Sequence, residues 1–191
     1  CSVYGSQYLL EGLYEADMPE MDQHALDLMR SDSDRGWLHM IHNVGTTVTL
    51  EAWDAKYKPN LDWNHAWGAA PANIIPRYVL GITPLEPGYA KIRIKPQCGD
   101  LKYAKMYLPT IRGQVCVTIN SKTAEKFMIH CTIPGNMTAE VWYPLDKVDF
   151  TGDAKTVTLL LDKKPVQATR NGRWAVIDNV MPGEHNITFP E

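Results

Sequence analysis

The sequence predicts an α + β chain in two parts, with helices first and an antiparallel β-sandwich second. In the first part apolar residues recur at helical spacing, as at Met21, Ala25 and Leu28, which share one side of a helix. After Pro87 the period changes to 2, and alternate residues are apolar, as in the run 115–119. This change of period divides the chain near residue 85.

The helical part opens with two short helices joined by a tight turn. Ser6 is a suitable N-cap for a helix that begins at Gln7. Pro19 cannot continue that helix but suits the first turn of the next one. Each helix has one apolar face, so the pair needs further helices or another chain to bury both faces. We therefore expect self-association through exposed helix faces, or a partner that covers them.

The second part contains four clear runs of alternating residues, at 91–95, 115–119, 127–133 and 157–161. Turn signals separate these runs, and Asn171-Gly172 is a strong signal for a two-residue hairpin loop. Seven to eight strands of this kind predict an antiparallel sandwich.

Composition restricts the class of partner. The 191 residues are 45% hydrophobic and 21% charged, which is ordinary for a soluble globular protein. A net charge of −3 without a basic run argues against nucleic acid and anionic membrane surfaces as partners. No apolar stretch approaches the roughly 20 residues that span a bilayer.

The four cysteines have no spacing that suits a zinc site, and we interpret all four as free thiols. No metal site and no cofactor are predicted. These features do not fix the compartment, although an extracytoplasmic location is favoured over a cytoplasmic one.

The most informative stretch runs from residue 45 to residue 82. Glu51 follows a β-branched run, His65 lies between two tryptophans, and the stretch holds three tryptophans: Trp53, Trp63 and Trp67. Flat aromatic faces beside a few polar groups suit a sugar ring. The same residues also fit an aromatic core turn in which Glu51 and His65 are hydrogen-bonded. The residues alone leave both interpretations open.

This stretch resembles the end of the catalytic domain of the α-L-rhamnosidases, glycoside hydrolase family 78. The resemblance rests on E-A-W-D, K-P-N and D-W-N-H-A-W-G-A-A-P-A-N-I-I-P-R-Y-V-L-G-I, and upstream on Y-L-L-E-G-L-Y-E-A-D and S-D-S-D-R-G-W-L-H-M-I. The segments P-G-Y, L-K-Y-A and P-T-I-R-G-Q-V-C-V resemble the family's entry into its C-terminal β-sandwich. The family usually has two threonines, an aliphatic residue and a tryptophan before its glutamate, where this chain has Thr47, Val48, Thr49 and Leu50.

The resemblance implies that residues 1–85 are the C-terminal portion of an (α/α)6 catalytic barrel and residues 86–191 the C-terminal β-sandwich domain. It implies inverting hydrolysis of terminal α-L-rhamnose from glycosides or polysaccharides, with Glu51 as the general base. His65 would bind a rhamnose hydroxyl. Trp53, Trp63 and Trp67 would form the pocket wall or hold the glutamate in place.

The resemblance also implies a second catalytic group outside these motifs. The family's general acid belongs to an upstream motif of an aspartate, a proline, arginines and a glutamate, and no stretch of this chain matches it. We therefore expect the upstream part of the same enzyme as a partner and no appreciable activity from this chain alone. One carboxylate does not separate inversion from retention, because the distance to its partner decides between them.

An alternative makes the sandwich a non-catalytic module that binds carbohydrate or caps the barrel. Its candidate aromatic residues are Trp142, Tyr143 and Trp174. Neighbours in a strand point to opposite faces, and these three fit core positions as well.

Overall fold

A computed structural model describes residues 1–121 and 127–190. Their contacts divide the chain into two compact units, Cys1–Ile75 and Pro76–Glu191. The domain boundary that the change of period indicates at residue 85 stays a prediction.

The first unit is helical. Its α-helices are α1 (Val3–Glu15), α2 (Pro19–Met29), α3 (Trp37–His42) and α4 (Ala70–Ile74). Helix α1 begins earlier than predicted, because the Ser2 side chain accepts a hydrogen bond from the Gly5 backbone N–H at 3.0 Å and acts as the N-cap. Ser6 lies inside the helix instead, where its hydroxyl donates to the Ser2 carbonyl at 2.9 Å. Pro19 occupies the first turn of α2, as predicted.

A long segment, residues 43–69, connects α3 to α4 and carries every candidate site residue. The β-branched run before Glu51 does not form a strand, since Thr46 closes a turn on Val48. Two backbone hydrogen bonds join the limbs of the segment: Glu51 N–H to the Asp62 carbonyl at 3.1 Å and His65 N–H to the Thr49 carbonyl at 2.8 Å. These two bonds close residues 49–65 into a loop, which we call the closed segment.

The final helix is interrupted, as its two prolines predict. A 3-10 turn at Ala66–Gly68 comes first, α4 follows with Pro71 in its first turn, and a wider π-helical turn runs over Ile75–Val79. Pro76 has no N–H to donate into a regular α-helix, which is consistent with the change of winding at this point. Gly81 then ends the helical run with a φ of +72°.

In its described residues, the second unit is a curled sheet of ten strands. They are β1 (Ile82–Pro84), β2 (Lys91–Ile94), β3 (Tyr103–Thr110), β4 (Gly113–Asn120), β5 (Met128–Ile133), β6 (Thr138–Pro144), β7 (Thr156–Leu161), β8 (Lys164–Asn171), β9 (Trp174–Val180) and β10 (Gly183–Thr188). Their order is β1-β2-β6-β9-β8-β7-β10-β5-β4-β3.

The sheet confirms the predicted fold class, helices followed by a mostly antiparallel β-sandwich. Strands β5 and β6 are far apart in the strand order yet contact each other, because the sheet curls on itself. Both bury alternate residues, which gives the interior of the sandwich. The structure has more strands than the seven or eight predicted, and β2 pairs with β6 in parallel. The hairpin predicted at Asn171-Gly172 is present, although its loop is Gly172 and Arg173.

All four cysteines are free thiols, as predicted. Cys1 is exposed, whereas Cys98, Cys116 and Cys131 are buried. Burial raises the pKa of the Cys131 thiol to about 12.

This difference in burial predicts the reactivity of the thiols in the folded protein. At pH 8 a thiol with a pKa of about 12 is ionised in only about one molecule in 10⁴, and the thiolate is the nucleophile. We expect one thiol, that of Cys1, to react rapidly with a disulfide reagent, and all four to react in guanidinium chloride. A folded Cys1→Ser variant should then show no rapid phase. A rapid phase that persists in that variant would contradict the burial of the other three.

Candidate active site

Glu51 is held on both sides of its carboxylate by the segment that carries it. The Lys58 ammonium contacts Oε1, and the Asp62 backbone N–H donates to Oε2 at 3.1 Å. The indole N–H of Trp67 donates to the Glu51 carbonyl at 3.3 Å. The side chain is 13% exposed, so these contacts fix a carboxylate that still reaches solvent.

The surroundings of Glu51 favour its ionised form. The Lys58 ammonium is the largest cause that lowers the pKa of this carboxyl, and the Asp62 N–H adds to it, while desolvation acts in the opposite direction. The charge of His65 lowers the pKa further. Glu51 is therefore a carboxylate at neutral pH.

His65 lies near Glu51, with one ligand atom of each residue within 4.8 Å of the other. Its Nδ1 is 3.3 Å from Asp62 Oδ2, and its ring contacts that of Trp67 at a tilt of 44°, with centroids 4.1 Å apart. The Thr49 hydroxyl donates to the His65 carbonyl at 2.9 Å. The closed segment therefore places His65 close to Glu51, although the two residues are not neighbours in sequence.

Glu51, Asp62 and His65 could together contact a metal ion. One ligand atom from each lies within 4.8 Å of the others. However, the Lys58 ammonium contacts Glu51, and a metal ion would have to displace that cation. We assign no metal chemistry to the group.

The three predicted tryptophans occupy three different environments. Trp53 is 5% exposed and packs in a core cluster with Val3, Met40, Leu50 and Leu61. Its indole N–H donates to the Cys1 carbonyl at 2.9 Å. Trp67 is exposed and its ring contacts Tyr4, with centroids 5.1 Å apart. Trp63 is 55% exposed.

A pocket of about 680 Å³ opens beside Glu51. Its lining residues are Cys1, Ser2, Val3, Tyr4, Arg35, Glu51, Ala52, Trp53, Tyr57, Lys58 and Trp67. This volume lies within the range of small-molecule sites. Of the predicted site residues, Glu51, Trp53 and Trp67 line the pocket, whereas His65 and Trp63 are not among its lining residues.

Sequence reasoning missed four side chains of this pocket: Tyr4, Arg35, Tyr57 and Lys58. Lys58 had a signal, since it belongs to the K-P-N motif, but nothing in that motif indicates a contact with Glu51. Tyr4 and Arg35 come from the start of α1 and from the connection between α2 and α3. Only folding brings them together with Glu51.

A partly buried hydrogen bond between His39 and Asp54 ties the site segment to helix α3. His39 Nε2 lies 2.8 Å from Asp54 Oδ2, and the Lys56 backbone N–H donates to Asp54 Oδ1 at 3.1 Å. The hydrogen bond from His39 is the largest cause that lowers the pKa of Asp54. Asp54, three residues after Glu51, thus links the site segment to α3.

The aromatic candidates of the second unit are core or partly core residues. Tyr143 and Trp174 are fully buried, and the Tyr143 hydroxyl donates to the Phe127 carbonyl at 2.5 Å. Trp142 is half-buried, with the Arg93 guanidinium 4.9 Å from its ring centroid. These three residues form no exposed aromatic platform for a sugar.

Removal of the Lys58 charge should change the pH dependence of any reaction that needs Glu51 ionised. Because Lys58 lowers the pKa of Glu51, activity should persist below the ordinary range of a glutamate. In Lys58→Met the acid limb of kcat/KM should move to higher pH, so the loss is larger at pH 4 than at pH 7. Lys58→Arg, which retains the charge, should keep the limb closer to its original position. The profile is measured on the longest protein that contains this chain, and an unmoved acid limb would contradict the role of Lys58.

Two family models match the chain. The bacterial alpha-L-rhamnosidase 6 hairpin glycosidase domain matches residues 2–79, and the bacterial alpha-L-rhamnosidase C-terminal domain matches residues 81–158. The helical unit is thus of the six-hairpin glycosidase class. The chain belongs to the bacterial α-L-rhamnosidases, and the family identified from the motifs is confirmed.

Curated relatives agree with this assignment. The chain is 27% identical over 113 residues to an alpha-L-rhamnosidase of Streptomyces avermitilis, which covers 55% of the chain and 11% of the relative. It is 28% identical over 150 residues to an alpha-L-rhamnosidase of Alteromonas sp. strain LOR, covering 71% of the chain and 15% of the relative. The chain therefore spans only a small part of the length of these relatives.

Solved structures show the same fold. The alpha-L-rhamnosidase from Dictyoglumus thermophilum superposes with a TM-score of 0.81 at 24% identity, over 99% of this chain and 21% of that one. The Streptomyces avermitilis alpha-L-rhamnosidase complexed with L-rhamnose gives a TM-score of 0.70 at 22% identity, over 88% of this chain and 16% of that one.

Among the described residues, no helix has the length and apolarity to cross a membrane.

Proposed function

We propose that this chain supplies the general-base side of an inverting α-L-rhamnosidase site and works as part of a longer protein. The substrate is a glycoside or polysaccharide with terminal α-L-rhamnose. The observation that carries the proposal is the carboxylate of Glu51, which is fixed by Lys58 and the Asp62 backbone and lines an open pocket with aromatic walls.

Glu51 has the properties that a general base needs. It is ionised at neutral pH, as a general base must be, and its contacts fix both carboxylate oxygens. In an inverting mechanism this carboxylate takes a proton from a water that attacks the anomeric carbon. The general acid then lies roughly 6.5–9.5 Å away, across the sugar, and protonates the leaving oxygen.

The aromatic residues fit the recognition of a sugar ring. Trp67 and Tyr4 are partly exposed, contact each other and line the pocket, so the exposed parts of their rings suit contact with the C–H groups of a pyranose. His65 contacts the ring of Trp67 and would donate to or accept from a rhamnose hydroxyl at the rim. Trp53 supports the Glu51 segment from the core.

Two observations support the dependence on a longer protein. The relatives are several times longer than the chain. Helix α1 also leaves Tyr8 and Leu9 exposed on the side away from its buried residues, which suits further helices of a barrel. Self-association through this face stays a prediction, for which the oligomeric state in solution is the test.

Release of nitrophenol from 4-nitrophenyl α-L-rhamnoside tests the proposal. We expect turnover from the longest natural protein that contains these residues and none above background from the 191-residue chain. The first rhamnose released should be the β anomer, observed by NMR before mutarotation. A first product with the α anomer would contradict inversion, and normal turnover by the isolated chain would contradict the need for an upstream acid.

A further inference from the structure

The pocket beside Glu51 has an excess of positive charge. Three charged side chains line it: Arg35, Glu51 and Lys58. Lys58 contacts Glu51, so these two charges compensate each other, and the charge of Arg35 is left over. This local excess occurs in a chain whose net charge is −3.

Arg35 is held at the pocket by an aromatic ring. Its guanidinium carbon lies 4.6 Å from the centroid of Tyr57, within the range of a cation–π contact. The Tyr57 hydroxyl donates to Asp34 Oδ2 at 2.5 Å, and Lys56 Nζ lies 3.0 Å from the same oxygen. Asp34, the carboxylate next to Arg35 in sequence, is hydrogen-bonded to these two partners and also attracts Arg35. The Arg35 guanidinium interacts with the Tyr57 side chain and remains exposed.

A guanidinium in this setting fits an anionic group of the substrate. Its planar fork of donors matches the two oxygens of a carboxylate, and stacking on an aromatic ring reduces the freedom that binding would remove. An anionic substrate group would ordinarily be repelled by an ionised general base. Here the contact of Lys58 with Glu51 reduces that repulsion.

We propose that Arg35 binds the carboxylate of a uronic acid joined to the rhamnose, an inference that rests on the function proposed above. The substrate class is then an acidic oligosaccharide or polysaccharide with terminal α-L-rhamnose on a uronic acid. Trp67 and Tyr4 contact the sugar rings, and Arg35 selects the charged neighbour of the rhamnose.

Binding is tested first, because it does not depend on hydrolysis. Ligand-observed NMR on the 191-residue chain compares sodium glucuronate with glucuronamide, a neutral sugar of nearly the same shape. We expect the chain to bind glucuronate about three- to tenfold more tightly, as expected for an exposed charged pair. The preference should weaken in 0.5 M salt, which screens exposed charges.

Two variants test whether Arg35 causes the preference for glucuronate over glucuronamide. Arg35→Gln should bind both sugars equally, and folding is not at risk because Arg35 is exposed. Arg30→Gln is the matched control: it removes one positive charge from an exposed arginine that pairs with Asp27 outside the pocket lining, and it should leave the preference intact. The inference is wrong if the chain binds neither sugar, binds both equally, or keeps its preference in Arg35→Gln.

Hydrolysis by the longer protein gives the second measurement. The ratio of kcat/KM for α-L-rhamnosyl-(1→4)-glucuronate to that for the glucuronamide analogue should exceed one and fall about three- to tenfold in Arg35→Gln. If glucuronate is preferred in binding but no rhamnoside is hydrolysed, the proposed function fails, and the inference that Arg35 binds a carboxylate stands. If both rhamnosides are hydrolysed at the same rate, the function stands and the inference about Arg35 fails.

Discussion

Replacement of Glu51 by glutamine should lower rhamnoside hydrolysis by about 10²–10⁴-fold in the longest protein that contains this chain. Glutamine keeps the size of the side chain and can still contact the Asp62 N–H, but it cannot accept a proton from water. The loss should therefore appear mainly in kcat, with KM changed less. Steady-state kinetics on 4-nitrophenyl α-L-rhamnoside measure it.

Chemical rescue separates this role from a structural one. In Glu51→Ala, azide needs no general base and should restore turnover, with β-L-rhamnosyl azide as the product of inversion. Asp32→Asn, an exposed acidic residue outside the pocket lining, is the control and should retain normal rates. A Glu51→Gln enzyme with normal kcat would move the base to another residue.

Replacement of Gly81 by alanine should destabilise the sheet unit by about 2–5 kcal/mol. A Cβ at this position would lie 2.0 Å from the Lys95 carbonyl oxygen and 2.1 Å from its carbon. Both are backbone atoms, and the Lys95 N–H donates to the Gly81 carbonyl at 3.0 Å. The backbone at Gly81 and the backbone at Lys95 therefore cannot move apart without losing that hydrogen bond. The positive φ of Gly81 adds a further cost.

A second glycine isolates the effect of this close approach. Gly172 also has a positive φ, +58°, but nothing lies within 4 Å of the Cβ that an alanine would add. Gly172→Ala should therefore cost only about 1–2 kcal/mol, from the backbone conformation alone. Urea unfolding of both variants gives the difference, and equal losses would show that the contact with Lys95 relaxes easily.

The periodicity of apolar residues predicted the fold class because it reports which face of each element is buried. Pro19 marked a helix start correctly, since the signal for that limit is local. The capping residue of α1 was predicted at Ser6 rather than Ser2, because both serines precede helical residues and only the folded chain separates them. The strand β1 was missed, since three residues are too few to show a period.

The candidate site was predicted in part. The motif placed Glu51 and His65 together, and the closed segment brings them near each other. Their chemical roles remain proposals. Spacing could not distinguish the three tryptophans, because burial of Trp53 and exposure of Trp63 depend on what packs against the segment. Arg35 was invisible for the same reason, since it lies in a solvated acidic turn in the sequence and reaches the pocket only through the fold.

The closed segment between α3 and α4 has a consequence for how such a site tolerates sequence change. Its backbone bonds between Glu51 and Asp62 and between Thr49 and His65 fix the carboxylate within one short piece of chain. Helices around it can then exchange side chains, or shift slightly, without altering the local geometry of the glutamate. Relatives at about a quarter sequence identity could keep the same reacting group while the pocket walls diverge, and a new aglycone preference would require changes only at positions such as Arg35 or Tyr4.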